Sequence, residues 1–223
     1  MEMNRNTVIV TILSIVGIFA LLFAVYAFTN KDPQTAVSKD IPETRTVQPG
    51  DHVSWSKDKK VILTEYADLQ CPACKNFHDV LKQMEASEED KDIINGVTYV
   101  YRHYPLQQIH KNALGAAHIV EAAAVQGKFF EALDALYDSQ ETWQGINNPK
   151  FETYLSNLKL DINKLKADAG SKSVKDAVTQ QIASGNRVGV QATPTFFLNG
   201  KKITVNSIED FKKQLREAAK VTK

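Results

Sequence analysis

The two cysteines of the chain stand three apart, in Gln70-Cys71-Pro72-Ala73-Cys74, between a β-patterned run and a helix-patterned one. No other feature restricts the fold as strongly. In the first turn of a helix the two Cα atoms lie roughly 5–6 Å apart, within reach of a disulfide. A disulfide closing so short a loop restrains the unfolded chain least, which makes it a poor brace and a good switch. The spacing therefore points to a redox dithiol, with a structural disulfide and a metal site as its rivals.

The runs on either side set the fold class. Val61-Ile62-Leu63-Thr64-Glu65-Tyr66-Ala67 is short, rich in β-branched residues and largely apolar, the pattern of a buried strand. After Cys74, the residues Phe77, Val80, Leu81 and Met84 fall on one helix face. Val97 to Arg102 reads as a second strand, giving a β-α-β unit whose crossover should be right-handed. From Ile109 to Arg187 the pattern is helical. Ala113–Val125 is apolar nearly all round and stops at Gly127, and further helices are expected at Lys128–Ser139, Pro149–Leu158, Ile162–Ala169 and Ser173–Ser184. The β pattern returns at Thr195–Leu198, turns at Asn199-Gly200 and continues through Lys202–Val205. A last helix, capped by Ser207 with Asp210 at the capping-box position, should bury Ile208, Phe211 and Leu215. The expected class is α/β, a mixed central sheet built β-α-β then β-β-α, with a helical insertion at about 107–187 inside a domain covering 57–220.

Ahead of that domain, Thr7 to Phe28 carries no charge, and its 22 residues would span about 33 Å as a helix, enough for a bilayer core of roughly 30 Å. Residues 1–30 are therefore read as an N-terminal transmembrane anchor. Arg5 before the run favours a cytoplasmic N-terminus and an extracytoplasmic domain, a single-pass protein of the cell membrane. The alternative is a signal peptide cleaved at Val25-Tyr26-Ala27, although the run is longer than the usual h-region. Residues 31–56, with Pro33, Pro42, Pro49 and Gly50, read as a linker whose Asp51–Trp55 end packs on the domain. A formal net charge of +1 with interspersed signs gives no reason to expect nucleic acid.

The dithiol has a physical rationale of its own. Cys71 at the helix N-cap, with Pro72 at N1, meets the unpaired N–H groups and positive end of the helix, which favour a thiolate. Such a site can lower a cysteine pKa from about 8.5 into the range of about 3.5–7.5. Cys74, one turn inside, should keep a higher value. Cys71 then faces the substrate and Cys74 resolves the mixed disulfide.

Three stretches together resemble the DsbA-like branch of the thioredoxin superfamily: Cys71-Pro72-Ala73-Cys74, Gln126-Gly127-Lys128-Phe129-Phe130, and Val190-Gln191-Ala192-Thr193-Pro194-Thr195-Phe196. The resemblance implies an extracytoplasmic thiol–disulfide oxidoreductase with a redox-active Cys71–Cys74 disulfide. It implies a cis proline at Pro194 beside the cysteines, which leaves the backbone of Thr193 to pair with an extended substrate segment. It also implies a buried acid at Glu65 that takes the proton of Cys74 during resolution; a Glu on the solvated side of the strand is the plainer alternative. Pro72 and Ala73 complete the supporting set, and Asp68 is read as capping its loop. The implied partners are exported proteins with free thiols and a membrane oxidase, quinone-linked, that restores the disulfide. A monomer is expected, with no cofactor and no metal. The rival readings are a reductase or isomerase using the same site, and a non-catalytic binding module for exported chains. No dimerisation domain is expected ahead of the core, which disfavours the isomerase.

The remaining candidates are weaker. His78 follows Cys74 by four residues, but a structural zinc site needs four ligands and no further cysteine exists, so a surface or edge-packed imidazole is expected. His103, His110, His118, Trp55, Trp143, Tyr99, Tyr101 and Tyr104 read as structural. The Pro-Ala dipeptide lacks the histidine that strengthens the thiolate in some strongly oxidising relatives, which leaves the oxidising strength open.

Overall fold

In the computed structural model, residues 17, 18, 20–23 and 41–221 are described. The chain divides into two compact units, 1–37 and 38–223. The described residues of the first unit are helical and expose the side chains of Ile18, Leu21, Leu22 and Phe23. Most of the expected anchor lies outside the described residues, and among the described residues no helix is long and apolar enough to cross a membrane.

The second unit holds a five-stranded sheet in the order β1-β3-β2-β4-β5, built from β1 (His52–Trp55), β2 (Ile62–Ala67), β3 (Thr98–His103), β4 (Thr195–Leu198) and β5 (Lys201–Lys202). β2 and β3 are parallel, and every other pair is antiparallel. All six residues of β2 are buried, as its near-continuous apolar run requires of a central strand covered on both faces. Alternation along it sends Leu63 and Ala67 into the main core and Tyr66 into a smaller cluster with Val188, Val190 and Phe197. Glu65 shares the main-core face.

The helices are α1 (Pro42–Arg45), α2 (Pro72–Ala86), α3 (Lys91–Gly96), α4 (Ala113–Ala124), α5 (Phe129–Asp138), α6 (Gln140–Trp143), α7 (Ile162–Gly170), α8 (Lys172–Arg187) and α9 (Ile208–Val221). α4 is the buried helix its all-round apolar pattern predicts, and Gly127 supplies the left-handed residue (φ +73°) just beyond it. Asn199 and Gly200, both at positive φ, make the hairpin turn between β4 and β5.

Several expectations need correction. The stretch read as linker is structured from residue 41 onward. It forms α1 and the edge strand β1, and the buried Arg102 ties it to the sheet through Asp51 (Nε–Oδ1 2.9 Å, Nη2–Oδ2 2.8 Å). The helix expected at Pro149–Leu158 is replaced by two 3₁₀ turns, Phe151–Thr153 and Ser156–Leu158. Its buried anchors are only Phe151 and Leu155, too few to propagate an α-helix over so short a stretch. β5 is shorter than Lys202–Val205: the Ile203 N–H still donates to the Phe196 carbonyl (3.0 Å), but beyond it the ladder stops and Val205 packs against the core. Phe211 and Leu215 are fully buried as expected, whereas Ile208 is 44% exposed at the first position of α9, where a side chain leans back past the packed layer. Ser207 caps α9 through the Asp210 N–H (3.1 Å), and the Asp210 carboxylate accepts from Asn206 rather than from Ser207.

Candidate active site

Cys71 is the N-cap of α2 with an extended backbone (φ −77°, ψ 122°), and Pro72 opens the helix. The turn into it is closed by the Cys71 N–H on the Asp68 carbonyl (3.0 Å). The cysteines are separate thiols here, so the structure presents the dithiol form. Cys71 retains 8% of its surface and Cys74 none, so of the two cysteines Cys71 is the one an incoming group can reach.

Across the chain, the Thr193–Pro194 bond is cis and brings the Thr193 carbonyl 3.4 Å from Cys71 Sγ. The Thr193 hydroxyl is buried with no hydrogen-bond partner among the described residues, and its proximity to the Cys71 sulfur favours the thiolate. The pKa of Cys71 is lowered to about 5. The Cys74 thiol contributes most by donating to the thiolate, burial opposes it, and the Thr193 hydroxyl and the N–H groups of Cys74 and Ala73 add to the lowering. Cys74 is pushed well above its usual value, first by burial and then by the neighbouring Cys71 and Glu65. The asymmetry between the sulfurs is therefore built in. We expect iodoacetamide at pH 6 to label Cys71 alone in the reduced protein, since roughly nine-tenths of it is thiolate there. Comparable labelling of Cys74, read by peptide mass, would refute the assignment.

Glu65 is 2% exposed, so the solvated-strand alternative does not hold. It lies on the face of β2 that carries the cysteines, opposite Tyr101 in the parallel register. The Tyr99 hydroxyl, diagonal to it, donates to its carboxylate. Burial raises the Glu65 pKa to about 7, with the Tyr99 hydrogen bond pulling it down and the Cys71 charge adding to the rise. A carboxyl poised at neutrality in a site that excludes water can give or accept a proton.

The loop before Cys71 is bracketed by polar groups that sequence reasoning left unconnected. Asp68 does cap its loop, accepting from the Gln70 N–H (2.7 Å), and it also accepts from the Leu106 N–H (2.7 Å) and lies 2.8 Å from His110 Nδ1. Gln140, buried in α6, donates to the carbonyls of Leu69 (2.7 Å) and Cys71 (3.2 Å). Gln70 bridges the Asn112 N–H and the Gln144 carbonyl. Apart from the local cap of Asp68 on Gln70, no local pattern marks these contacts, because each joins segments about 40–70 positions apart. His78 is buried rather than superficial. It stacks on Tyr137 (4.5 Å between centroids) with Nε2 at 3.1 Å from Asp134, so it packs the back of α2. Trp143, Tyr99 and Tyr101 are core residues as expected.

Residues 48–217 match the Thioredoxin family over most of the chain. The chain belongs to the thioredoxin family. Wolbachia pipientis alpha-DsbA1 superposes with a TM-score of 0.64 at 21% identity, over 79% of this chain and 96% of that one. Pseudomonas aeruginosa DsbA2 gives 0.55 at 28% identity, over 73% and 89%. The chain thus shares its fold with the DsbA proteins of the thioredoxin superfamily. Among curated sequences it is similar to the Na(+)/H(+) antiporter NhaA 1 of Mycolicibacterium vanbaalenii, 33% identical over 70% of this chain and 24% of that protein. The chain spans about a quarter of the length of the curated relatives it matches.

Proposed function

We propose that this protein is a membrane-tethered dithiol oxidase that introduces disulfides into exported proteins from the extracytoplasmic side. The observation that carries the reading is the low pKa of Cys71, about 5, beside a buried Cys74 held well above its usual value. A stabilised thiolate stabilises the reduced enzyme, and the disulfide is correspondingly oxidising. In the oxidised enzyme, a substrate thiolate attacks Cys71 Sγ. The Cys71–Cys74 bond breaks, Cys74 leaves with the electron pair, and protonated Glu65 is placed to return its proton. The substrate's second thiolate then attacks the substrate sulfur of the mixed disulfide and expels Cys71 as a thiolate. The substrate has lost two electrons, and the dithiol has gained them. A membrane oxidase of the quinone-linked kind would remove them again. The nearby Thr193 hydroxyl favours the thiolate, where the Pro-Ala dipeptide offers no side-chain donor.

The tether is supported by the uncharged run Thr7–Phe28 and by the exposed apolar side chains of its described residues. The measurement that tests the direction is the redox potential in glutathione buffers. We expect a value well above the roughly −270 mV of thioredoxin, each 30 mV adding about 1.4 kcal/mol of driving force. Reduction should also raise the melting temperature, the reverse of a structural disulfide. A potential near thioredoxin's, with the oxidised form the more stable, would instead support a reductase or isomerase.

A further inference from the structure

β2 runs from a lysine-rich turn to the reactive cysteine. The turn before it carries Lys57, Lys59 and Lys60, all exposed. The β4–β5 hairpin meets that turn, with the Asn199 N–H on the Ile62 carbonyl (2.8 Å) and the Ile62 N–H on Asn199 Oδ1 (2.9 Å). It adds the exposed Lys201 and Lys202 to the same end of the sheet. Among the described residues none of these five lysines forms an ion pair, although lysines and arginines elsewhere on the domain do so repeatedly. Asp58 is the single acidic side chain within the turn.

The chain also enters the domain at this end. The N–H of Ile41, the first described residue of the domain, donates to the Gly200 carbonyl in the hairpin turn itself (2.8 Å). The described chain therefore enters the domain beside the hairpin that carries Lys201 and Lys202. Six residues of extended strand then place Cys71 about 17 Å or more from that end.

We infer that the lysine end of the domain docks on an anionic bilayer surface, the surface its own tether enters, and so presents Cys71 away from the membrane. The inference rests on the membrane-tethered reading above. Anionic headgroups supply the charge that the lysines lack within the protein, and each lysine held near such a surface strengthens binding about fivefold. The tether contributes high local concentration, so weak individual contacts suffice. In the docked pose the sulfur faces soluble exported chains rather than the lipid.

The test uses the full chain reconstituted into vesicles of phosphatidylcholine, alone or with about 30% phosphatidylglycerol, and a membrane-impermeant lysine-acylating reagent read by peptide mass. We expect acylation of Lys57, Lys59, Lys60, Lys201 and Lys202 to slow at least threefold in the anionic vesicles. About 0.5 M salt should reverse the effect, because screening shortens the reach of the surface charge. Lys111, at the opposite end, and Lys172, 87% exposed on α8, should react at the same rate in both. Equal rates for the five lysines in both vesicles, with the protein resisting carbonate extraction, would overturn docking and leave the tether standing. Slowing of the five by inorganic phosphate in neutral vesicles would assign them to a soluble anion and also overturn it. Extraction of the protein from neutral vesicles by carbonate would overturn the tether and the docking together.

Discussion

Replacing Cys71 by serine should abolish oxidation of a reduced test protein, whereas replacing Cys74 should convert the enzyme into a trap for its substrates. The difference follows from the unequal sulfurs. With its pKa at about 5, Cys71 is about 99% thiolate at pH 7, against about 3% for an ordinary cysteine. It is also the sulfur with exposed surface. Attack and mixed-disulfide formation both need it, so Cys71→Ser should show no turnover above the uncatalysed rate and no covalent adducts on a non-reducing gel. In Cys74→Ser the attack on a substrate disulfide still proceeds, but the sulfur that releases the adduct is absent. Adducts should accumulate and dissolve on addition of dithiothreitol. Loss of the Cys74 thiol also removes the largest contribution to the lowering of the Cys71 pKa. Alanine at position 74 leaves no donor there, so the thiolate absorbance titration of Cys74→Ala should move upward. Adducts carried by Cys71→Ser, or an unmoved titration in Cys74→Ala, would show that the sulfurs have been assigned wrongly.

How much of this was legible in the sequence depends on how local each cause is. Cys71, Pro72 and Cys74 act through the first turn of one helix, and a short window contains everything that sets their roles. Pro194 was placed by resemblance alone. Burial of Glu65 came from resemblance, with a solvated Glu left open; the structure closes that alternative because β2 is covered on both faces and has no solvated side. Its partner was not legible. The approach of Tyr99 depends on the parallel register that pairs Leu63 with Tyr99 and Glu65 with Tyr101. A slip of one residue would have turned both tyrosines to the other face. Thr193 was hidden in the same way: only the folded chain brings its carbonyl to a sulfur 122 positions away. Arg102 read as the polar end of a strand, yet it is buried because Asp51, in a stretch that looked like linker, meets it as a bidentate partner. Patterning identified the elements, and the polar contacts between distant elements determined the chemistry.

Glu65→Gln should give the clearest pH signature in the protein. In the fold its pKa is about 7 against an ordinary value of 4.5, with burial the leading cause. A raised pKa means that folding favours the protonated acid. Its full contribution is present below pH 4.5 and is lost as pH rises through about 7. Across that window the wild type should lose about 3 kcal/mol relative to a variant that cannot ionise. Glutamine keeps an oxygen for the Tyr99 hydroxyl, and any penalty for its extra N–H groups is the same at every pH. The difference in unfolding free energy between variant and wild type, from urea titrations of the reduced proteins, should therefore grow by about 3 kcal/mol between pH 4.5 and pH 8 and then level off. The same substitution removes the group placed to exchange a proton with Cys74, and loss of such a group costs about 10²–10⁴ in rate. Release of a preformed mixed disulfide should slow by at least about 100-fold at pH 7 and lose its inflection near neutrality. Parallel stability curves would mean that Glu65 does not titrate in this range. A normal release rate alongside diverging stability curves would leave the carboxyl a buried acid without a part in the chemistry.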